Sequence, residues 1–93
     1  MKPNNVDLIL KRMIELLRVG GDVGGWAVAL EGIRVGFHSD PKYSSSKLLS
    51  MYGGMGSLND VVIYRDGQAM VAENNEFDML RTQLYELSRP NVQ

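Results

Sequence analysis

The residues of this chain whose types could hold a ligand are Asn59 and Asp60 and, beyond an apolar hairpin, Glu73, Asn74 and Asn75. Strand pairing brings the two ends of a hairpin together, so these polar groups converge at its open end. Carboxylate and amide oxygens gathered there suit a hard cation such as Mg²⁺ or Ca²⁺, or a small polar molecule. The same residues have a plainer use. Asn59-Asp60 makes a local turn, and Asn74 or Asn75 caps the helix that follows. The preceding block, "MYGGMGSLND" at 51–60, is rich in glycine. A glycine loop cradles phosphate when its amides point inward and a helix begins directly after it. Here Gly53, Gly54 and Gly56 follow a helix and precede a strand, with no Gly-Lys-Ser/Thr, so backbone geometry alone explains them.

Nothing else in the sequence assembles a reaction centre. There is no cysteine, which removes disulfides, thiolate nucleophiles and cysteine metal sites together. His38 is the only histidine, placed near a helix end where the dipole favours it. One histidine without an HExxH pattern does not supply the usual zinc ligand set. Trp26 reads as a core residue, in phase with Leu30 and Ile33. The methionines read as gap-fillers, although Met51 and Met55 flank the glycine turn, where an adaptable partner surface would use them. The chain is expected to carry no catalytic residue, no metal and no cofactor.

The elements that must position these groups follow from periodicity. Val6, Ile9, Leu10, Met13, Ile14 and Leu17 form one stripe of an amphipathic helix, started by Asn4 or Asn5 and stopped by Gly20-Gly21. Trp26, Leu30, Ile33 and Phe37 fall on one face of a second helix capped by Asp22. Trp26–Leu30 also reads as a strand with Glu31-Gly32 as a turn, but the aromatic spacing favours helix over 22–39. Asp40-Pro41 opens a third helix, a capping residue followed by proline at the first position. Its apolar side carries Tyr43, Leu48, Leu49 and Tyr52, and Gly53-Gly54 ends it.

Val61–Arg65 and Gln68–Ala72 flank Asp66-Gly67, the signal of a two-residue type I′ hairpin. That loop pairs Arg65 with Gln68, Tyr64 with Ala69, Ile63 with Met70 and Val62 with Val71. Asn74 or Asn75 then caps a last helix with the stripe Phe77, Leu80, Leu84 and Leu87, ending before Pro90. The result is a single α+β domain over 1–93, ordered over about 5–88, with the order α-α-α-β-β-α. Both faces of the hairpin are apolar: Val61, Ile63 and Met70 on one, Val62, Tyr64 and Val71 on the other. Either the helices wrap both, or a second chain completes the hairpin.

Composition narrows the function classes. With 44% hydrophobic and 23% charged residues the chain is an ordinary globular domain. A net charge of −1 with thinly spread Lys and Arg gives no basic stripe, so nucleic acid is not an expected partner. No apolar run approaches the length that crosses a bilayer, and no signal-peptide core follows Met1-Lys2-Pro3, so a cytoplasmic location is expected.

"LLRVGGDVGGWAVAL" (16–30), "MYGGMGSLNDVVI" (51–63) and "LRTQLYEL" (80–87) resemble a family of small bacterial proteins known only as a domain of unknown function. In that family a helix ending in glycine and then Trp-Ala precedes a Gly-Gly-Met-Gly-Ser-Leu-Asn-Asp block, a strand, an Asn and a closing Leu-Arg helix. The likeness runs from about Leu16 to Leu87, and Gly53–Asp60 is its most specific part. Gly24-Gly25 departs from the family's more polar linker. The resemblance implies helix over 26–37 and implies no activity.

Three functions remain. The first is a non-catalytic protein-binding domain, an immunity protein or antitoxin inhibiting a bacterial toxin. At −1 it lacks the acidity of a nucleic-acid mimic, so shape, the hairpin edge or the 53–60 turn would make the contact. The second is a module binding a small molecule or ion, and the third a homodimer joined through the hairpin. The residues expected to bind are Met55, Ser57, Asn59, Asp60, Tyr64 and Asn74.

Overall fold

The computed structural model describes residues 3–22, 24–53 and 56–89. Helix α1 spans Pro3–Val19, so Asn4 and Asn5 lie inside the helix rather than at its cap. Val6, Leu10, Met13, Ile14, Leu16 and Leu17 are buried, with Ile9 packed beside them. Each such aliphatic side chain withdrawn from water contributes about 1.5–3 kcal/mol, and α1 is accordingly the spine of the fold. Its end is a paired-hydrogen-bond stop. Asp22 N–H donates to Leu17 O at 2.9 Å and Gly21 N–H to Arg18 O at 3.1 Å. Gly21 holds φ +82°, the left-handed geometry such a stop needs.

Helix α2, Trp26–Ser39, returns along α1 and buries Ala27, Leu30, Ile33 and Phe37. Asp22 does cap it, from outside the formal cap position: its Oδ1 accepts from Ala27 N–H at 2.7 Å. Trp26, at the first helical position, is half-buried and packs against the core. Asp40 accepts from Tyr43 N–H at 3.0 Å and starts α3, Pro41–Leu49. Only Ser44 and Leu48 of α3 are buried, and Tyr43 is 63% exposed, not on the apolar side. The reason is the close crossing of α2 and α3. A methyl group on Gly36 would stand 2.6 Å from Ser44 Oγ, so α3 turns its small serine inward and its tyrosine out.

After a 3-10 turn at Leu58–Asp60 come β1, Tyr64–Arg65, and β2, Gln68–Ala69, joined antiparallel in the expected register. Asp66 (φ 54°) and Gly67 (φ 79°) both take the left-handed geometry of the type I′ loop. The strands are shorter than the sequence predicts. Met70 N–H reaches Ile63 O at 3.0 Å, but the next rung comes from a side chain. Asn74 Oδ1 accepts from Ile63 N–H at 2.8 Å, while Asn74 Nδ2 donates to Ile63 O at 2.9 Å and to Met70 O at 2.8 Å. Helix α4 therefore begins at Val71 and runs to Ser88, so Val71 and Ala72 are helical and the Val62–Val71 pair is absent. Neither Asn74 nor Asn75 caps α4, because the helix has already started before them.

Phe77, Leu80 and Leu84 of α4 close the core against α1. A two-pronged contact from Arg12 to Glu76, at 2.6 and 2.9 Å, ties the same two helices at the surface. The order α-α-α-β-β-α makes the protein α+β. No helix among the described residues is long and apolar enough to cross a membrane.

Candidate functional site

Residues 56–60 are held by their own polar groups. Leu58 N–H donates to Met51 O at 2.9 Å and closes the loop, and the Leu58 side chain is fully buried as its anchor. Ser57 Oγ accepts from Asn59 N–H at 3.2 Å and caps the 3-10 turn. Asp60 Oδ2 accepts from Gly56 N–H at 2.6 Å, pulling the chain back on itself where Gly56 takes φ +73°. From the other side Arg81 of α4 clamps the turn. Its Nη1 donates to Leu58 O at 3.1 Å and Asn59 O at 3.0 Å, and its other nitrogen pairs with Asp78.

Two clefts border this turn. The first, of ≈ 410 Å³, lies between the end of α1 and the chain from Gly56 to Tyr64. Leu17, Ile63 and Val61 form its apolar wall, Trp26 and Asp22 stand at the start of α2, and Ser57 and Asp60 lie on the turn. Gly20 packs tightly at its base, where a methyl group would come within 2.8 Å of Ile63 Cγ2 and 3.1 Å of Tyr64 O. The second cleft, of ≈ 520 Å³, lies behind the turn and is lined by Tyr52, Asn59, Arg81, Tyr85 and Arg89 among others. Tyr52 is spent there on structure. Its hydroxyl donates to Arg81 O at 2.7 Å, and burial pushes its pKa above the ordinary phenol value.

The residues expected to bind are thus divided. Ser57, Asp60 and Tyr64 line the first cleft, while Asn59 lines the second. Asn74 lines neither and serves as a rung of the hairpin. Glu73 is partly buried and Asn75 is exposed. Met55 lies outside the described residues. A single polar cluster of Asn59, Asp60 and Asn74 at the hairpin's open end does not form: Asn59 lines the second cleft, Asp60 lines the first and holds Gly56 N–H, and the Asn74 amide is bound to the backbone of Ile63 and Met70. His38 sits on α2 with its Nε2 3.7 Å from Asp7 and lines neither cleft.

Sequence reasoning missed the far wall of the first cleft, Asp22 and Trp26, having given one to a cap and the other to the core. It also missed Arg81. The acceptors of Arg81 are main-chain carbonyls, which no residue pattern marks.

The chain matches a family described as a domain of unknown function (DUF6966) over residues 20–71 and belongs to that family. No curated protein and no solved structure matches it. The matched span holds every named residue of the first cleft except Leu17, whereas Arg81, Tyr85 and Arg89 of the second fall beyond it.

Proposed function

We propose that the protein is a non-catalytic protein-binding domain, an immunity- or antitoxin-type inhibitor of a bacterial toxin acting in the cytoplasm. The observation that carries this reading is the first cleft together with its rim. Val62 and Tyr64, 48% and 53% exposed, line the cleft beside its apolar wall. Apolar side chains kept in water around a concave surface are the usual mark of a protein contact. Ser57 and Asp60 beside them each hold a backbone amide of the turn, which keeps this surface in one shape. A small-molecule or ion site draws on convergent donors, and Asn59, Asp60 and Asn74 do not converge. A homodimer through the hairpin has the outer edge of β1 to work with, but Gly20 already lies along that edge at Tyr64.

The test begins with a tagged pull-down from bacterial lysate and continues with the captured protein purified. The reading requires a one-to-one complex from the two pure components and loss of the partner's toxic activity on adding this chain. A pure partner whose activity is unchanged, or a chain that associates only with itself in light scattering, overturns it.

A further inference from the structure

Antiparallel strands alternate between residues that bond across the pair and residues that face outward. Arg65 and Gln68 close the two-residue loop, and Ile63 shares a backbone bond with Met70. Tyr64, lying between them, therefore directs its N–H and C=O groups away from β2. At Tyr64 that outer edge is covered by Gly20, since a methyl group there would stand 3.1 Å from Tyr64 O and 3.5 Å from Tyr64 N. Val62 lies before β1 with no strand opposite it, none of the backbone bonds of the described residues engages it, and it lines the first cleft. The cleft thus has the backbone at Val62 as one wall and the half-buried indole of Trp26 as another.

The charge in this cleft is of one sign. Asp22 and Asp60 are its only charged residues among the described lining, with no Lys, Arg or His. Each spends one carboxylate oxygen on a backbone amide, Ala27 for Asp22 and Gly56 for Asp60, and among the described residues no donor reaches the other oxygen. The ion-paired acids of the described residues, among them Asp7, Glu31 and Glu76, lie elsewhere. An indole face beside carboxylates attracts a guanidinium or ammonium, by cation–π contact as well as by charge.

We infer that this cleft is the docking slot for an extended, basic segment of a partner protein: the segment pairs with the backbone at Val62, just before β1, and sets a lysine or arginine between Asp22, Asp60 and Trp26. This rests on the protein-binding reading and specifies the chemistry of its partner. Strand addition supplies the backbone bonds, and the cation selects the sequence.

The experiment is a titration of the ¹⁵N-labelled full chain with a pool of acetylated pentapeptides carrying arginine at the centre and random residues around it. The controls are the same pool with central glutamate, and N-acetylarginine amide. Trp26 is the only tryptophan, so its indole resonance and emission report the cleft without ambiguity. The expected result is saturable shifts at Val62 and the Trp26 indole with the arginine pool alone. They should weaken with added salt and by about two- to fivefold in Asp60→Asn, which keeps the acceptor for Gly56 and removes the charge. Asn75→Ala, an exposed position away from the cleft, should bind as the native chain does. The inference is overturned if the arginine pool leaves these resonances in place, if the glutamate pool shifts them equally, or if N-acetylarginine amide binds as tightly as the pool. Should the slot fail in this way while a purified toxin still forms a one-to-one complex, only the slot is wrong. Failure of the complex refutes the protein-binding reading separately.

Discussion

Replacing Asn74 by alanine tests the most specific local claim of the fold, that a side-chain amide substitutes for a strand rung. The native residue accepts from Ile63 N–H and donates to the carbonyls of Ile63 and Met70. The two carbonyls keep other donors, because Met70 N–H still reaches Ile63 O at 3.0 Å and Asn74 N–H still reaches Met70 O at 2.8 Å. Ile63 N–H loses its partner outright in a residue that is 3% exposed. An orphaned buried donor costs about 1–3 kcal/mol, and the two weakened carbonyl contacts add a smaller amount. A total loss of about 2–3 kcal/mol is expected, which lowers the melting midpoint by about 10–20 °C in a domain of this size. Urea denaturation followed by circular dichroism measures it, with Asn75→Ala as the control, expected within about 0.5 kcal/mol of native. Amide hydrogen exchange adds a site-specific readout, since Ile63 should lose protection first. The reasoning fails if Asn74→Ala denatures with the native midpoint, or if Ile63 stays as protected as before.

Three further outcomes follow from other contacts. Gly20→Ala places a methyl group 2.8 Å from Ile63 Cγ2 and 3.1 Å from a backbone oxygen, so it should destabilise by about 1–3 kcal/mol; without that contact the same change would stabilise the chain slightly, and the sign in a urea melt decides. Arg81→Ala removes two bonds to the carbonyls of the 3-10 turn and should cost about 2 kcal/mol, and Arg81→Lys should not restore it, because a lysine cannot reproduce the fork that also meets Asp78; thermal melts of both variants check this. The Arg34 guanidinium holds Asp7 and Glu31 below the usual carboxylate range, Lys11 adds to the effect at Asp7, and Arg12 does the same for Glu76. Depressed folded values mean this stability is fully present above the unfolded values near pH 4 and is lost as pH falls through the folded ones. Urea midpoints should therefore hold from about pH 7 to pH 5 and decline below about pH 4, with a shallower decline in Arg34→Met.

The helices were legible because their apolar residues recur at the helical period. Asp66-Gly67 was legible because few dipeptides accept two left-handed conformations in succession. What sequence could not resolve were places where one residue type serves two geometries. Val71 and Ala72 continue a strand pattern, yet they open α4 because the Asn74 amide terminates the ladder first; an asparagine there reads equally as a cap or a rung. Trp26 keeps the phase of Leu30 and Ile33 but stands at the first turn of α2, where it packs against the core and also lines the cleft. Tyr43 faces outward because the tight approach of Gly36 admits only the serine beside it. The candidate site divides in the same way. Ser57 and Asp60 were visible as turn residues on the hairpin's approach, whereas Asp22 comes to the same cleft from a loop distant in sequence.

The most direct test of the protein-binding account is hydrogen–deuterium exchange of the full chain, alone and in its reconstituted complex with the purified partner. The account predicts new protection over 56–64 and around Asp22–Trp26, with the outer faces of α1 and α4 unchanged. Protection confined to those outer faces, with the cleft exchanging as in the free chain, would contradict it.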